Sequence, residues 1–445
     1  MESTRRGYLW CVAGGTLAAA VTGRAVAQGT EFEETWPRHA YDSGSTGHAP
    51  GNTAPKSDVS ERWRASVDGG TLPFFAVDES RIYGTRQEEM YAIDRATGEI
   101  EWRYDRGKPE RVSLYDGTLY VTGDGGRAES YVAAVDTEDG SERWHNEYVY
   151  AFYGVPTAAD GTVYAATIYA NGRTYALDPS TGEELWVSEV GGELGTAATV
   201  GTDALFAGSM NGVVYAIDRA SGAERWRAEV GDEVRSDPAV GDGSVYVACN
   251  DGRLYAFEAD SGTERWTYET GGLIGFHTPA VADGIVYVGD VEGALHAIEA
   301  DSGTERWTVE TDGRVNAPVV ADGVVFAPGD ALYALEADSG EPLWQYGFEG
   351  DDNVQTPAVA DGEVYVDGRE LVALEGDIAP PTPTPTATPE GPPTRTRTDD
   401  DDAGGDGDAS TATATEAEGG SLSFFAAATA GALAAAREAV RQSGD

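Results

Sequence analysis

Catalysis or metal binding calls for thiols, imidazoles or grouped carboxylates, and the sequence is sparing with the first two. It holds two cysteines, Cys11 and Cys249, and five histidines, His39, His48, His145, His277 and His296. Cys11 lies in a segment that export would remove, so the mature chain is expected to carry no intrachain disulfide. Cys249 ends the apolar run Val245-Tyr246-Val247-Ala248 and reads as a small buried filler. The histidines show no metal-ligand spacing, and His296 replaces the Tyr of a repeated phrase, which makes it structural. Carboxylates are plentiful, 77 Asp and Glu, many in Asp-Gly pairs. No segment spaces five or six oxygen ligands as a calcium loop of the EF-hand type does. Asp399–Asp402 is a charge run of the kind found in solvated tails. No glycine-rich phosphate loop and no Ser nucleophile elbow is present. The residue types thus offer no reaction, and the elements that would position a site become the better guide.

Those elements repeat. Eight tryptophans, Trp63, Trp102, Trp144, Trp186, Trp226, Trp266, Trp307 and Trp344, are separated by 39, 42, 42, 40, 40, 41 and 37 residues. A period near 40 marks a repeat architecture. The last seven each close one phrase, as in YAIDRATGEIEW ending at Trp102 and YAFEADSGTERW ending at Trp266. Ten residues before the Trp stands Ala (Ala92, Ala134, Ala176, Ala216, Ala256, Ala297, Ala334), and eight before stands an acid (Asp94, Asp136, Asp178, Asp218, Glu258, Glu299, Glu336). Four before stands Gly98, Gly140, Gly182, Gly222, Gly262, Gly303 or Gly340. This is a hairpin: a short apolar strand such as Leu254–Phe257, a turn in which glycine takes the positive φ, and a second strand that delivers the Trp. Upstream lies another hairpin signal, Asp-Gly between two β-branched runs, as in PAVGDGSVYVAC from Pro238 to Cys249. Each period therefore holds about four short strands, one propeller blade.

The ends decide the closure. The last period, PAVADGEVYVDGRELVALE, lacks its Trp, and the first Trp, in SERWRASV, lacks the preceding phrase. The strand with Trp63 is expected to complete the last blade beside Leu371–Leu374. That closes a ring of eight blades and removes the free sheet edges. The fold class is all-β, an eight-bladed propeller of four-stranded blades.

The phrase A-x-[DE]-x-x-x-G-x-x-x-W resembles the tryptophan-docking motif of the quinoprotein-type, or PQQ-like, eight-bladed propellers, over residues 59–377. The resemblance implies that each Trp ring packs between neighbouring blades, with the Ala leaving it room. The family includes PQQ- and calcium-dependent alcohol dehydrogenases, and also non-catalytic scaffolds such as the BamB-like assembly lipoproteins; fold alone does not choose between them. In the dehydrogenase branch the resemblance implies PQQ over the propeller axis, a carboxylate base, a calcium ion and a vicinal Cys-Cys disulfide stacked on the ring. With two cysteines in all and Trp gaps of 37 to 42, the chain lacks that disulfide and the enzymes' long insertions. No catalytic residue carries over, and no cofactor is expected; PQQ with calcium belongs to the alternative reading as a divergent dehydrogenase.

The charge balance is 77 acidic against 30 basic residues, a formal −47, and only Lys56 and Lys108 are lysines. This resembles proteins of extreme halophiles, whose hydrated acidic surfaces suit high salt. Nucleic acid is excluded as a partner, because phosphate contacts need a basic stripe. Residues 1–27 resemble a twin-arginine export signal: Arg5-Arg6, an apolar stretch, then Ala25-Val26-Ala27 for cleavage. The expected location is extracellular or at the cell surface. Residues 28–58 read as a flexible leader rich in Gly, Pro and Ser. Residues 378–420 read as a Pro/Thr/Asp-rich stalk without a core. Residues 421–445 contain an Ala-rich apolar run, short for a membrane span, which leaves membrane attachment open beside a merely helical tail.

One class of residue departs from the repeat. The loops leading into the innermost strands carry Tyr153, Arg235, Asp237, His277, Asn316 and Gln355, which differ from blade to blade. They are candidates for a channel or partner surface. The stretch Tyr148 to Tyr153 suggests either an aromatic rim for protein or glycan contact, or a buried strand. The expected function is an exported, non-enzymatic scaffold, monomeric, contacting a protein or envelope component, with a glycan- or small-ligand-binding module as a further alternative.

Overall fold

A computed structural model describes residues 36, 42 and 44–378, apart from 68–71, 73–74, 87, 127–128, 153, 168–171, 275–276 and 349–353. The expected export signal, stalk and C-terminal tail lie outside the described residues.

The chain forms eight antiparallel blades arranged as a ring. Blade 1 covers residues 75–104, blade 2 109–148, blade 3 157–189, blade 4 199–229, blade 5 239–269, blade 6 280–310 and blade 7 319–347. Blade 8 takes three strands from residues 358–377 and its fourth, outermost strand from Ser57–Ala65. The closing register matches the sequence expectation: Glu61 lies opposite Leu374, Trp63 opposite Ala373 and Ala65 opposite Leu371.

The two turn signals behave as their chemistry requires. In the Asp-Gly pairs that join the first and second strands of a blade both residues have positive φ, 50° and 72° at Asp242-Gly243 for example, the geometry of a type I′ hairpin turn. In the second turn the acid caps the backbone, as where Asp94 accepts from the Thr97 amide at 2.8 Å, and the glycine amide returns to the acid's carbonyl. The repeated Ala lies directly across the strand pair from the Trp, from Ala92 and Trp102 to Ala334 and Trp344.

The core is divided into layers between blades. One cluster joins Phe206 and Val214 of blade 4 to Val245 and Phe257 of blade 5, and others repeat the pattern around the ring. Seven of the eight Trp rings, Trp63 through Trp307, are pressed against the turn glycine of the following blade. A β-carbon on Gly222 would stand 2.6 Å from Trp186, and one on Gly98 would stand 2.7 Å from Trp63, which carries the stack across the closure. The indole N–H of each Trp donates to a turn carbonyl of the next blade, from Trp63 to Arg95 at 2.9 Å through Trp307 to Ala337 at 3.0 Å. Blade 8 has no such turn, and Trp344 donates instead to Pro55 at 2.8 Å. Beneath each Trp lies an aromatic of its own blade's second strand, such as Tyr246 under Trp266 with centroids 5.8 Å apart. Those aromatics are a regular feature of the sequence that the Trp phrase alone does not capture.

Candidate functional site

The first strands of neighbouring blades touch around the ring, from blade 1 through blade 7 and from blade 8 back to blade 1. They are therefore the innermost strands, and one edge of each faces the central channel. In an open channel those edges present unpaired N–H and C=O groups.

Here residues 44–55 lie against those edges, which differs from the flexible leader expected over 28–58. The Val240 amide of blade 5 donates to the Gly44 carbonyl at 2.9 Å, the Val281 amide of blade 6 to Thr46 at 2.6 Å and the Val320 amide of blade 7 to Gly47 at 2.7 Å. His48–Ala49 then pairs in parallel with Val320 and Ala321, giving blade 7 a fifth strand where four were expected. Asn52 reaches the Val359 carbonyl of blade 8 at 2.6 Å, and the Gly362 amide donates to Thr53. On blade 4, Thr199 meets the buried Ser45 hydroxyl at 3.3 Å. Further back, Trp36 exchanges two backbone hydrogen bonds with Val77 of blade 1, at 2.8 and 2.6 Å.

Trp36, Ser45, Ala49, Asn52 and Ala54 are all buried. The local sequence explains the course. Gly47 has a φ of 60° and passes where a β-carbon would meet Ala280 at 3.0 Å and the Pro318 carbonyl at 3.1 Å. Residues 44–55 also contain no Asp, Glu, Lys or Arg, in a chain where 77 of 445 residues are acidic. An unpaired charge would be costly in that position. This uncharged run is the signal in the sequence that could have located the segment.

The candidate residues of the inner loops serve their neighbours. Asp237 of blade 5 accepts from the Ala197 amide ahead of blade 4 at 2.7 Å. Asn316 is buried and donates to the Val354 carbonyl ahead of blade 8 at 2.6 Å. The Gln355 amide donates to Asp367, and Arg235 pairs with Glu233 at 2.6 Å. His277 is half-buried, and burial together with nearby Arg314 pushes its pKa down to about 4, so it is neutral at pH 7. The contacts of Asp237 and Asn316 join neighbouring loops. Tyr153 lies outside the described residues.

The aromatic stretch is split. Phe152 is buried against Tyr148 and Tyr175, with centroids 5.1 and 6.1 Å away. Tyr150 is half-buried with the Arg173 guanidinium 4.8 Å over its ring, while Val149 is 71% exposed. The stretch is thus neither a continuous exposed rim nor a continuous buried strand. Beside it a groove between blades 2 and 3 is lined by Arg106, His145, Glu147, Tyr148, Glu183 and Glu184. At three other blade junctions Tyr104, Tyr268 and Tyr346 stand two residues after the Trp and reach a Glu of the next blade. Here Asn146 takes that position and spans to the Gly182 carbonyl at 2.5 Å. His145 stacks on Tyr131 at 4.7 Å and shares a hydrogen bond with Glu142 at 3.1 Å.

The channel wall of blades 5 to 8 is covered by the chain itself. Among the described residues no three His, Cys, Asp or Glu side chains are placed to hold a metal ion. Cys249 is a lone buried thiol, its pKa pushed up to about 11 by burial.

The sequence matches the family described as outer membrane protein assembly factor BamB, over 54–129, 106–193, 170–275 and 271–377. Among curated proteins it is similar to the serine/threonine-protein kinase AfsK of Streptomyces griseus, 32% identical over 122 residues. That match covers 25% of this chain and 14% of AfsK, so the chain spans a small part of that protein's length. Among solved structures it resembles BamB from Moraxella catarrhalis, with a TM-score of 0.57 and 15% identity over 71% of this chain and 99% of that one. It also resembles the quinohemoprotein alcohol dehydrogenase of Comamonas testosteroni, with a TM-score of 0.63 and 15% identity over 78% of this chain and 82% of that one. At such identities these likenesses establish the propeller fold and no more.

Proposed function

The chain belongs to the family described as outer membrane protein assembly factor BamB, and from that membership we propose that it is an exported, non-enzymatic scaffold presenting a rigid disk of loops to a protein or envelope component at the cell surface. The observation that carries this reading is that residues 44–55 cover the channel wall of blades 5 to 8. The resemblance to the dehydrogenases implies PQQ over the propeller axis; here the inner-strand amides of Val240, Val281 and Val320 are already bonded within the chain. Export is inferred from the twin-arginine-like start and from the pairing of Trp63 with Ala373. A ring closed by both ends of its chain reaches its fold only when whole, which suits a route that exports folded protein. The acidic surface supports work in concentrated salt. The partner is a protein or envelope component, and the envelope role in the BamB name is not carried to this chain.

The test is calorimetric titration of the folded protein, in high salt, with PQQ and calcium, alongside a dye-linked alcohol oxidation assay. No saturable heat and no turnover are expected. Saturable binding near one PQQ per chain, or turnover that depends on it, would replace the scaffold with the dehydrogenase alternative.

A further inference from the structure

We propose that the channel wall formed by the inner strands of blades 5 to 8 is a peptide-binding site, and that residues 44–55 are its built-in ligand. The segment touches the blades as a bound peptide touches a sheet edge. Successive backbone carbonyls, Gly44, Thr46 and Gly47, accept from the same structural position in successive blades, the Val of each inner strand. Main-chain bonds of this kind supply affinity, and small pockets supply selectivity. Selectivity here comes from tight spaces. Ala49 and Ala54 are wholly buried, and Gly47 passes within what would be 3.0 Å of Ala280 if it carried a β-carbon. Polar side chains fix the register: Ser45 on Thr199, and Asn52 on the Val359 carbonyl.

The strand complement of the blades is complete without this segment, although Trp344 of blade 7 donates to its Pro55 and Gly362 of blade 8 to its Thr53. Blades 5 and 6 have four strands each, blade 7 keeps four of its own, and blade 8 is closed by Ser57–Ala65, which begins beyond the segment. The core layers between blades 4 to 7 draw on residues of those blades alone, whereas Ala49 and Ala54 join the layer shared by blades 7, 8 and 1. Over blades 5 and 6 the segment is thus added to sheets that already have their four strands, as a ligand is. The ligand class is an uncharged stretch of small residues that turns at Ser45 and Gly47, where φ is 50° and 60°. The same segment of a second copy is the occupant that could replace it, exchanging strands between two rings. This site does not depend on the scaffold reading.

The experiment uses the full chain with a specific protease site inserted between Lys56 and Ser57, folded first and then cut. A labelled peptide of residues 44–56 is added to the cut protein and followed by fluorescence anisotropy, with circular dichroism reporting the fold. The freed segment is expected to exchange with the labelled peptide at one per ring, while the ring stays folded. A peptide carrying Gly47→Val should bind at least tenfold more weakly, and one carrying Thr46→Glu should be similarly impaired. Three outcomes would each overturn the proposal. They are loss of the segment from a folded ring without rebinding, unfolding of the ring when the segment leaves, and a segment that never exchanges.

Discussion

Two glycines with the same backbone strain and different surroundings separate the cost of the turn from the value of Trp docking. Gly222 and Gly243 both have a φ of 72°. A β-carbon on Gly243 would meet nothing within 4 Å, whereas one on Gly222 would stand 2.6 Å from the Trp186 ring. Gly243→Ala should therefore lose only the backbone term, about 1–2 kcal/mol for an L-residue in the left-handed region. Gly222→Ala should lose the same term plus about 1–3 kcal/mol for forcing a packed ring aside. A displaced Trp186 also weakens its 2.9 Å hydrogen bond to the Arg219 carbonyl, worth about 1 kcal/mol. The variants are to be compared by denaturant unfolding at one fixed high salt concentration. Trp186→Leu in the Gly222→Ala background should cost less than the sum of the single changes, because the ring that clashes is gone. Equal losses for Gly222→Ala and Gly243→Ala would refute the docking argument.

Three further outcomes are expected. Asp367 is buried between blade 8 and the approach to blade 1, accepts from the Leu72 amide at 2.7 Å, and has its pKa pushed up to about 8 by burial. Between about pH 4 and 8 the folded state holds a proton that the unfolded state has released, so this group's contribution to stability falls as pH rises. Asp367→Asn, which keeps the acceptor, should flatten that slope and stabilise the protein at pH 8; an unchanged slope would show that the carboxyl is ionised in the fold. The free thiol of Cys249 is wholly buried, so thiol reagents should label it only after denaturation, and rapid labelling of the native protein would place it elsewhere. The formal charge of −47 opposes compaction. The unfolding midpoint should rise steeply between 0.1 and 1 M salt, as the Debye length falls from about 10 to about 3 Å; a midpoint independent of salt would contradict this.

The propeller was legible in the sequence because each blade is written locally. The Ala-acid-Gly-Trp phrase fits within twelve residues, and its physical partners are an adjacent strand and the next blade's turn. The closure was legible because Trp63 had no phrase and blade 8 had no Trp. The channel filling was not legible, because its partners are scattered. The segment meets Val240, Val281, Val320 and Val359, each some 200 to 300 residues away and each identical in type to many others. Glycine, proline and serine, which read as flexible, are here the residues small enough to pass against the inner strands. Only the absence of charge between Gly44 and Pro55 distinguishes the segment from a linker. Arg235, Asp237, His277, Asn316 and Gln355 precede the first strands of blades 5 to 8, and their chemistry depends on the blade beside them. Asp237 and Asn316 stand out as variable polar residues, yet each satisfies a neighbouring backbone group. The substitution of Asn146 for the tyrosine found at other junctions is a deviation that the Trp phrase does not include.

The most direct test of a channel wall covered by the chain's own segment is amide hydrogen exchange, read by mass spectrometry or NMR at Val240, Val281 and Val320. Each of these amides donates to residues 44–47 and not to its own blade. In the intact protein they should exchange as slowly as the paired amides of the second strands, and Gly47→Val should speed them selectively. Rapid exchange at all three in the intact protein would mean that the channel is open to water, and with it the ground for separating this propeller from the cofactor enzymes would fall.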